Sequence, residues 1–181
     1  MVIFLIGYMG CGKSKLGRKL APALGYKLAD TDKIIEEGVG KSVADIFAER
    51  GEAWFRAQER AVLESFANYP ENIIVSTGGG MPCKGDNMEL MKQIGITVYL
   101  KRTPQNIVSR ISEHGRWKRP AIRGMNDEEL LAYIEANLPG REPFYSQASL
   151  VIDCTAMGDE DIIEHIKLHI TQYEKSNTSI L

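Results

Sequence analysis

The stretch that most limits what this chain can become is Gly7-Tyr8-Met9-Gly10-Cys11-Gly12-Lys13-Ser14, which fits G-x-x-x-x-G-K-[ST] without a mismatch. The pattern carries weight only between a strand and a helix, and both flanks meet that condition. Residues 2–6, Val-Ile-Phe-Leu-Ile, form an apolar, partly β-branched run long enough for one buried strand. Residues 15–24 read as a helix that Gly25 ends. Gly7, Gly10 and Gly12 remove Cβ atoms where the loop must bend and where backbone must approach a ligand. The helix N-terminus adds exposed N–H groups and the positive end of its dipole, a combination that binds phosphate. Lys13 can place an ammonium between the β- and γ-phosphates of a nucleotide, and the Ser14 hydroxyl can ligate Mg²⁺.

Beyond the loop, strands and helices alternate. Strands are expected at residues 26–29, 73–76, 97–100 and 150–153. Helices are expected at 33–37, from a cap at Ser42 to residue 50, at 52–67 after a break at Gly51, and at 89–93 up to Gly95. Further helices follow Thr103-Pro104, follow an Asn126 cap, and close the chain at 159–173. Such alternation predicts an α/β domain with a parallel sheet covered on both faces. At 181 residues, 44% hydrophobic and 25% charged, one globular domain is the expected organisation. The stretch 112–125 is basic and aperiodic and reads as a mobile loop, and the polar tail at 174–181 reads as disordered. A net charge of −2 argues against a nucleic-acid-coating surface. No apolar run is long enough for a membrane span and no secretory signal pattern is present, so neither membrane nor export is expected. Cys11, Cys83 and Cys154 are odd in number and far apart, which points to free thiols and a cytoplasmic, reducing location.

Four further groups carry chemistry. Asp30 and Asp32 follow the second strand, where open α/β sheets bind ligands. At i, i+2 on an extended segment, with Thr31 turned away, one carboxylate could hold a hydrated metal and the other could orient or deprotonate a hydroxyl. A turn with a helix cap explains the same residues. Arg56, beside Phe55 on a helix, is either a carboxylate clamp or part of a solvated face. Thr77-Gly78-Gly79-Gly80 offers side-chain-free N–H donors at a strand end, or is a simple turn. Arg116, Lys118, Arg119 and Arg123 suit either a closing lid over phosphates or a solvated basic loop. Arg141 alone reads as a surface residue. His165 and His169, at i, i+4 without an accompanying acid, read as a solvated helix face.

Taken together, these residues resemble the shikimate kinase family. The resemblance rests on the phosphate loop, Asp30-Thr31-Asp32, Gly51-Glu52 with Phe55-Arg56, Gly78-Gly79-Gly80, Arg119-Pro120 and Arg141-Glu142-Pro143-Phe144-Tyr145, in that order along nearly the whole chain. It implies a three-layer α/β/α P-loop kinase fold whose five-stranded parallel sheet runs 2-3-1-4-5. The single kinase domain would span 1–173, with substrate-binding helices at about 33–62 and a lid at about 112–125. The implied activity is Mg²⁺-dependent phosphorylation of the shikimate 3-hydroxyl by ATP, a step toward chorismate and the aromatic amino acids, in a monomeric enzyme. By position, Lys13 and Asp32 would be catalytic. ATP would be held by Gly10, Cys11, Gly12, Lys13, Ser14, Lys15, Arg110 and Arg119. Shikimate would be held by Asp32, Arg56, Gly78, Gly79, Gly80 and Arg141, and the metal by Ser14 and Asp30. The chain departs from the family pattern at Lys15, usually Thr, at Ala121-Ile122 after Arg119-Pro120, and in about two extra residues before Arg119. A gluconate kinase, or a nucleotide-binding module without turnover, are the competing readings; Asp32 with Arg56, Gly79 and Arg141 separates the first reading from gluconate kinase, and Asp32 with the basic lid separates it from the module.

Overall fold

A buried strand followed at once by a glycine-rich loop dictates the centre of this molecule. The computed structural model describes residues 1–178. Five parallel strands lie in the order β2-β3-β1-β4-β5: β1 Val2–Ile6, β2 Lys27–Asp30, β3 Ile73–Ser76, β4 Ile96–Lys101 and β5 Leu150–Asp153. This is the order implied by the family resemblance. β1 is central, setting Val2 against Ile73 of β3 and Ile3 against Ile96 of β4.

Helices fill the connections: α1 Lys13–Leu24, α2 Thr31–Val39, α3 Val43–Ser65, α4 Asn87–Ile94 and α5 Pro104–Arg110. They continue with α6 Glu113–Trp117, α7 Asp127–Asn137, α8 Glu142–Tyr145 and α9 Asp159–Thr178. Side chains of β1 alternate between the sheet's two faces, and both faces are covered, so the whole strand is apolar. Phe4 and Ile6 join Leu63, Phe66, Met91 and Ile134 on one side. Ile3 and Leu5 join Leu16, Leu20, Ile162 and Ile166 on the other. Each such fully buried side chain stabilises the fold by about 1.5–3 kcal/mol. A smaller cluster of Ile35, Ile46 and Phe55 joins α2 to both helical pieces of α3.

Local signals end these elements where expected. Gly25 takes φ 68° past α1, and Gly51, at φ 76° and ψ 171°, breaks α3 into two helical pieces. Thr103 accepts the Asn106 N–H, and Asn126 and Glu129 form a reciprocal capping box. Gly95 serves space rather than conformation, since a Cβ there would overlap the Val2 carbonyl.

Three expectations are corrected. α2 begins at Thr31, two residues early, because the Asp30 side chain caps it and accepts the Lys33 N–H. Asp30 and Asp32 therefore do not share one extended segment, and Thr31 is buried rather than turned away. Residues 112–125 are not a featureless loop. Ser112 caps α6, a 3₁₀ turn spans Pro120–Ile122, and Ile111 and Ile122 are buried. The expected disordered tail is helical as far as Thr178, since neither Gly nor Pro interrupts α9, while 179–181 lie outside the described residues. Among the described residues no helix is long and apolar enough to cross a membrane.

Candidate functional site

β1 and β3 are neighbours whose connections leave in opposite directions, toward β2 and toward β4, so a crevice opens beyond their carboxyl ends. A cavity of about 510 Å³ occupies it. Its lining brings together Gly10, Gly12, Lys13, Ser14, Lys15, Asp30, Asp32, Gly79, Arg110 and Arg119, residues scattered over a hundred positions of sequence. Cys11, Gly78, Gly80, Arg56 and Arg141 are not among the lining residues; Arg56 lies against Gly80, next to the lining residue Gly79, and Arg141 over Tyr8, next to the lining residue Met9.

The loop after β1 has the strained geometry its glycines allow: Gly7, Gly10 and Gly12 all take positive φ, at 138°, 78° and 109°. Lys13 is buried and folds back across the loop, donating to the Gly7 carbonyl at 2.7 Å and the Tyr8 carbonyl at 3.0 Å. Ser14 Oγ donates to Asp30 Oδ2 at 2.7 Å and lies 3.0 Å from Ser76 Oγ. Three oxygen-bearing side chains thus meet at the foot of the loop, a donor set of the hard type that suits Mg²⁺. Cys11 is a buried, small filler beneath the loop.

Asp32 comes from the first turn of α2 and is desolvated. Burial, and secondarily the neighbouring Asp30 carboxylate, raise its pKa to about 6, against the pull of Lys13 and Arg56. Its Oδ1 is buried without a hydrogen-bond partner, an acceptor turned toward Gly78. A Cβ on Gly78 would come within 2.6 Å of that oxygen and 2.7 Å of Glu59 Oε1, so any larger residue there would have to displace one of the two carboxylates. Gly80 is restricted in the same way by Arg56, whose Nη1 lies 2.8 Å from where a Cβ would stand.

Arg56 is aimed by acids on its own helix. Nη1 donates to Glu59 at 2.5 Å and Nε to Glu52 at 3.1 Å. Glu59 is 1% exposed, and burial raises its pKa while Arg56 opposes the shift. Arg141 stacks on the Tyr8 ring at 5.0 Å. Its position follows from α8, which Glu142 fastens to β4 by accepting from Tyr99 at 2.6 Å and Lys101 at 2.7 Å. Tyr145, one turn on, donates to the Gly79 carbonyl at 2.6 Å.

Arg110 lies over the loop, its Nη2 2.9 Å from where a Gly12 Cβ would stand. Of the basic residues at 112–125, Arg119 lines the cavity, donating to the Gly115 carbonyl at 2.5 Å. Arg116 instead ties the segment to Met125 and to Asp127 at the start of α7. Lys15 lines the cavity while pairing with Asp159 at 3.0 Å.

Sequence reasoning missed the residues that hold the others in place. Thr31 accepts the Gly78 N–H at 2.9 Å and so docks α2 on the triple-glycine turn. The roles of Glu142, Tyr145 and Arg102 also went unread, although Glu142 and Tyr145 stand in a motif, because their partners are distant in sequence. Only Glu59 left a trace: it falls one turn after Arg56 on the helix's inner face.

Comparison with known proteins decides the family. The model of the family described as shikimate kinase matches residues 9–171. A shikimate kinase of Parabacteroides distasonis is 43% identical over 164 residues, covering 91% of this chain and 94% of the relative. The chain belongs to the shikimate kinase family. Among solved structures, the shikimate kinase of Bacteroides thetaiotaomicron has a TM-score of 0.86 at 38% identity, covering 94% of this chain and 98% of its own. That of Acinetobacter baumannii, in complex with shikimate, has a TM-score of 0.82 at 31% identity, covering 95% and 93%. Lys15, where the family resemblance leads one to expect Thr, pairs with Asp159 on α9, and the segment before Arg119 holds α6.

Proposed function

We propose that this chain transfers the γ-phosphoryl group of ATP to the 3-hydroxyl of shikimate. Family membership supplies the reaction class, an ATP-dependent kinase with an alcohol acceptor. The relative solved with shikimate supports the choice of acceptor. The observation that carries the reading is the unpartnered Asp32 Oδ1, buried beside the phosphate loop. A switch module has no use for such a group, whereas a kinase needs an acceptor for the hydroxyl proton.

In this reading the amides of Gly10, Cys11, Gly12, Lys13, Ser14 and Lys15 enclose the phosphates. Lys13 exchanges its carbonyl partners for β- and γ-oxygens. Arg119 and Arg110 face the same phosphates or the base, and residues 112–125 act as the lid that keeps water out. Arg56 and Arg141 clamp the shikimate carboxylate, with Gly78, Gly79 and Gly80 giving backbone contact, and α2 and α3 form the substrate-binding helices. The shikimate oxygen attacks phosphorus in line, the bond to the β-phosphate oxygen breaks, and Asp32 takes the hydroxyl proton. No residue forms a covalent intermediate. Ser14 and Asp30 would hold Mg²⁺. When bound, the ion would neutralise charge on the transferring phosphoryl group. The reading takes residues 1–173 as one kinase domain, and the enzyme as a cytoplasmic monomer whose three thiols stay free.

A coupled ADP-release assay with Mg²⁺ and ATP tests the proposal by comparing shikimate with gluconate. Release that depends on shikimate and not on gluconate is expected. Equal rates with neither acceptor above background would overturn it.

A further inference from the structure

Arg102, at the end of β4, takes no part in the reaction as described. It is 6% exposed, yet its hydrogen-bond partners are neutral. Nε donates to the Cys11 carbonyl at 2.8 Å, and Nη1 donates to Asn106 Oδ1 at 2.8 Å and to the Cys154 carbonyl. One buried cation therefore joins the phosphate loop, the first turn of α5 and the residue after β5. Burying a guanidinium whose hydrogen-bond partners are all neutral is unfavourable: burial lowers its pKa, Arg110 adds repulsion, and the Asp159 carboxylate, which makes no hydrogen bond to it, only partly opposes them. A fold keeps such a charge where an anion will complete its surroundings.

The position of the Nε bond matters. In a trans peptide the carbonyl and the following N–H point in opposite directions. Drawing the Cys11 carbonyl onto Arg102 turns the Gly12 N–H the other way, and Gly12 lines the cavity. A cation on the carbonyl oxygen also polarises the amide and strengthens it as a donor. Gly12 needs this support because, at φ 109°, its own backbone conformation is not fixed by a side chain.

We propose that Arg102 is a positioning residue for the nucleotide, aiming and polarising the Gly12 amide toward a phosphate and adding buried positive charge beneath it. The proposal rests on the loop being the nucleotide site. It separates Arg102 from Lys13 and Arg119, which would touch the phosphates directly.

The test compares wild type with Arg102→Met by titration calorimetry with ADP, by the KM for each substrate, and by the Gly12 amide resonance of ¹⁵N-labelled protein. Loss of a charge-assisted hydrogen bond predicts ADP binding weaker by about tenfold or more. The shikimate KM should stay within about twofold, and the ADP-induced shift of Gly12 should shrink. A purely structural tie would lower the melting temperature and leave ADP affinity and the Gly12 shift unchanged, which would overturn the proposal. Should the Met variant not fold, Arg102→Lys serves, since it keeps a cation able to reach one carbonyl. An intermediate loss of ADP affinity is then expected, and wild-type affinity with a wild-type Gly12 shift overturns the role. Failure of wild type itself to bind ADP would overturn the nucleotide site and this role with it. Unchanged affinity in the variants beside firm wild-type binding would remove only Arg102.

Discussion

Asp32 carries two consequences of one environment. Its pKa, raised to about 6 by burial and by Asp30, leaves the carboxylate ionised at neutral pH but close enough to hold a proton in passing. The kcat/KM for shikimate should therefore fall as pH drops through about 6, one power of ten per unit. Asp32→Asn should abolish that limb and lower kcat by at least about a hundredfold while leaving ATP affinity within a few-fold. A variant with near-normal turnover would remove Asp32 from the chemistry. Arg56 gives a second prediction. Arg56→Ala should raise the shikimate KM by roughly ten- to a hundredfold and leave the ATP KM unchanged. Glu59→Gln, which keeps the shape but loses the charge that aims Arg56, should repeat the pattern more weakly. Equal losses for both substrates in either variant would count against the clamp. The motif residues were legible because each chemistry restricts residue type: glycine under a phosphate, arginine beside a carboxylate. The positioning roles of Thr31, Glu142 and Tyr145 were not legible although these residues stand in the motifs, because a threonine accepting from Gly78 or a tyrosine donating to Gly79 joins positions far apart in the chain.

Among the elements, the long amphipathic helices and the buried strands could be read from periodicity and caps. The segment at 112–125 could not. α6 is too short to show a helical period, and a single buried Ile122 anchors the turn that follows. The first turn of α2 escapes sequence reading for another reason: Asp30, not Asp32, is its cap, and both are acceptable cap residues. The anchoring of 112–125 makes a prediction of its own. Ile122→Ala removes a fully buried side chain, a change that costs about 2–5 kcal/mol where the site cannot collapse. The loss falls on a segment rich in Lys and Arg, so trypsin should cut between residues 116 and 123 several-fold faster than in wild type. The ATP KM should rise with it. Cleavage at the wild-type rate would mean that Arg116, through Met125 and Asp127, holds the segment without Ile122.

For the molecule as a whole, the strand count and the parallel arrangement followed from alternation of elements, while the strand order came from family resemblance and is outside what local pattern encodes. The site also lowers the stability of the whole. The folded pKa of Asp32, about 6, exceeds its reference value of 3.8, so between these the native state binds more protons than the unfolded chain. This group's contribution to stability is greatest below pH 4, declines as pH rises toward 6 and stays lost above it. Asp32→Asn should consequently be more stable than wild type at pH 7.5, by about 1–3 kcal/mol, with the advantage vanishing near pH 4. Thermal unfolding at the two pH values measures this, and an Asn variant less stable at both would show that the carboxylate is satisfied where it sits. The central place of β1 has a different outcome, in the order of folding. Val2–Ile6 pairs with residues 73–76 and 96–99, so its edges stay open until some ninety further residues have joined the chain. The most apolar strand is thus the longest to wait for partners on both sides. During synthesis it is an uncharged, sticky segment that the growing chain must keep from pairing with others, and refolding yield at high concentration should depend on it before any other strand.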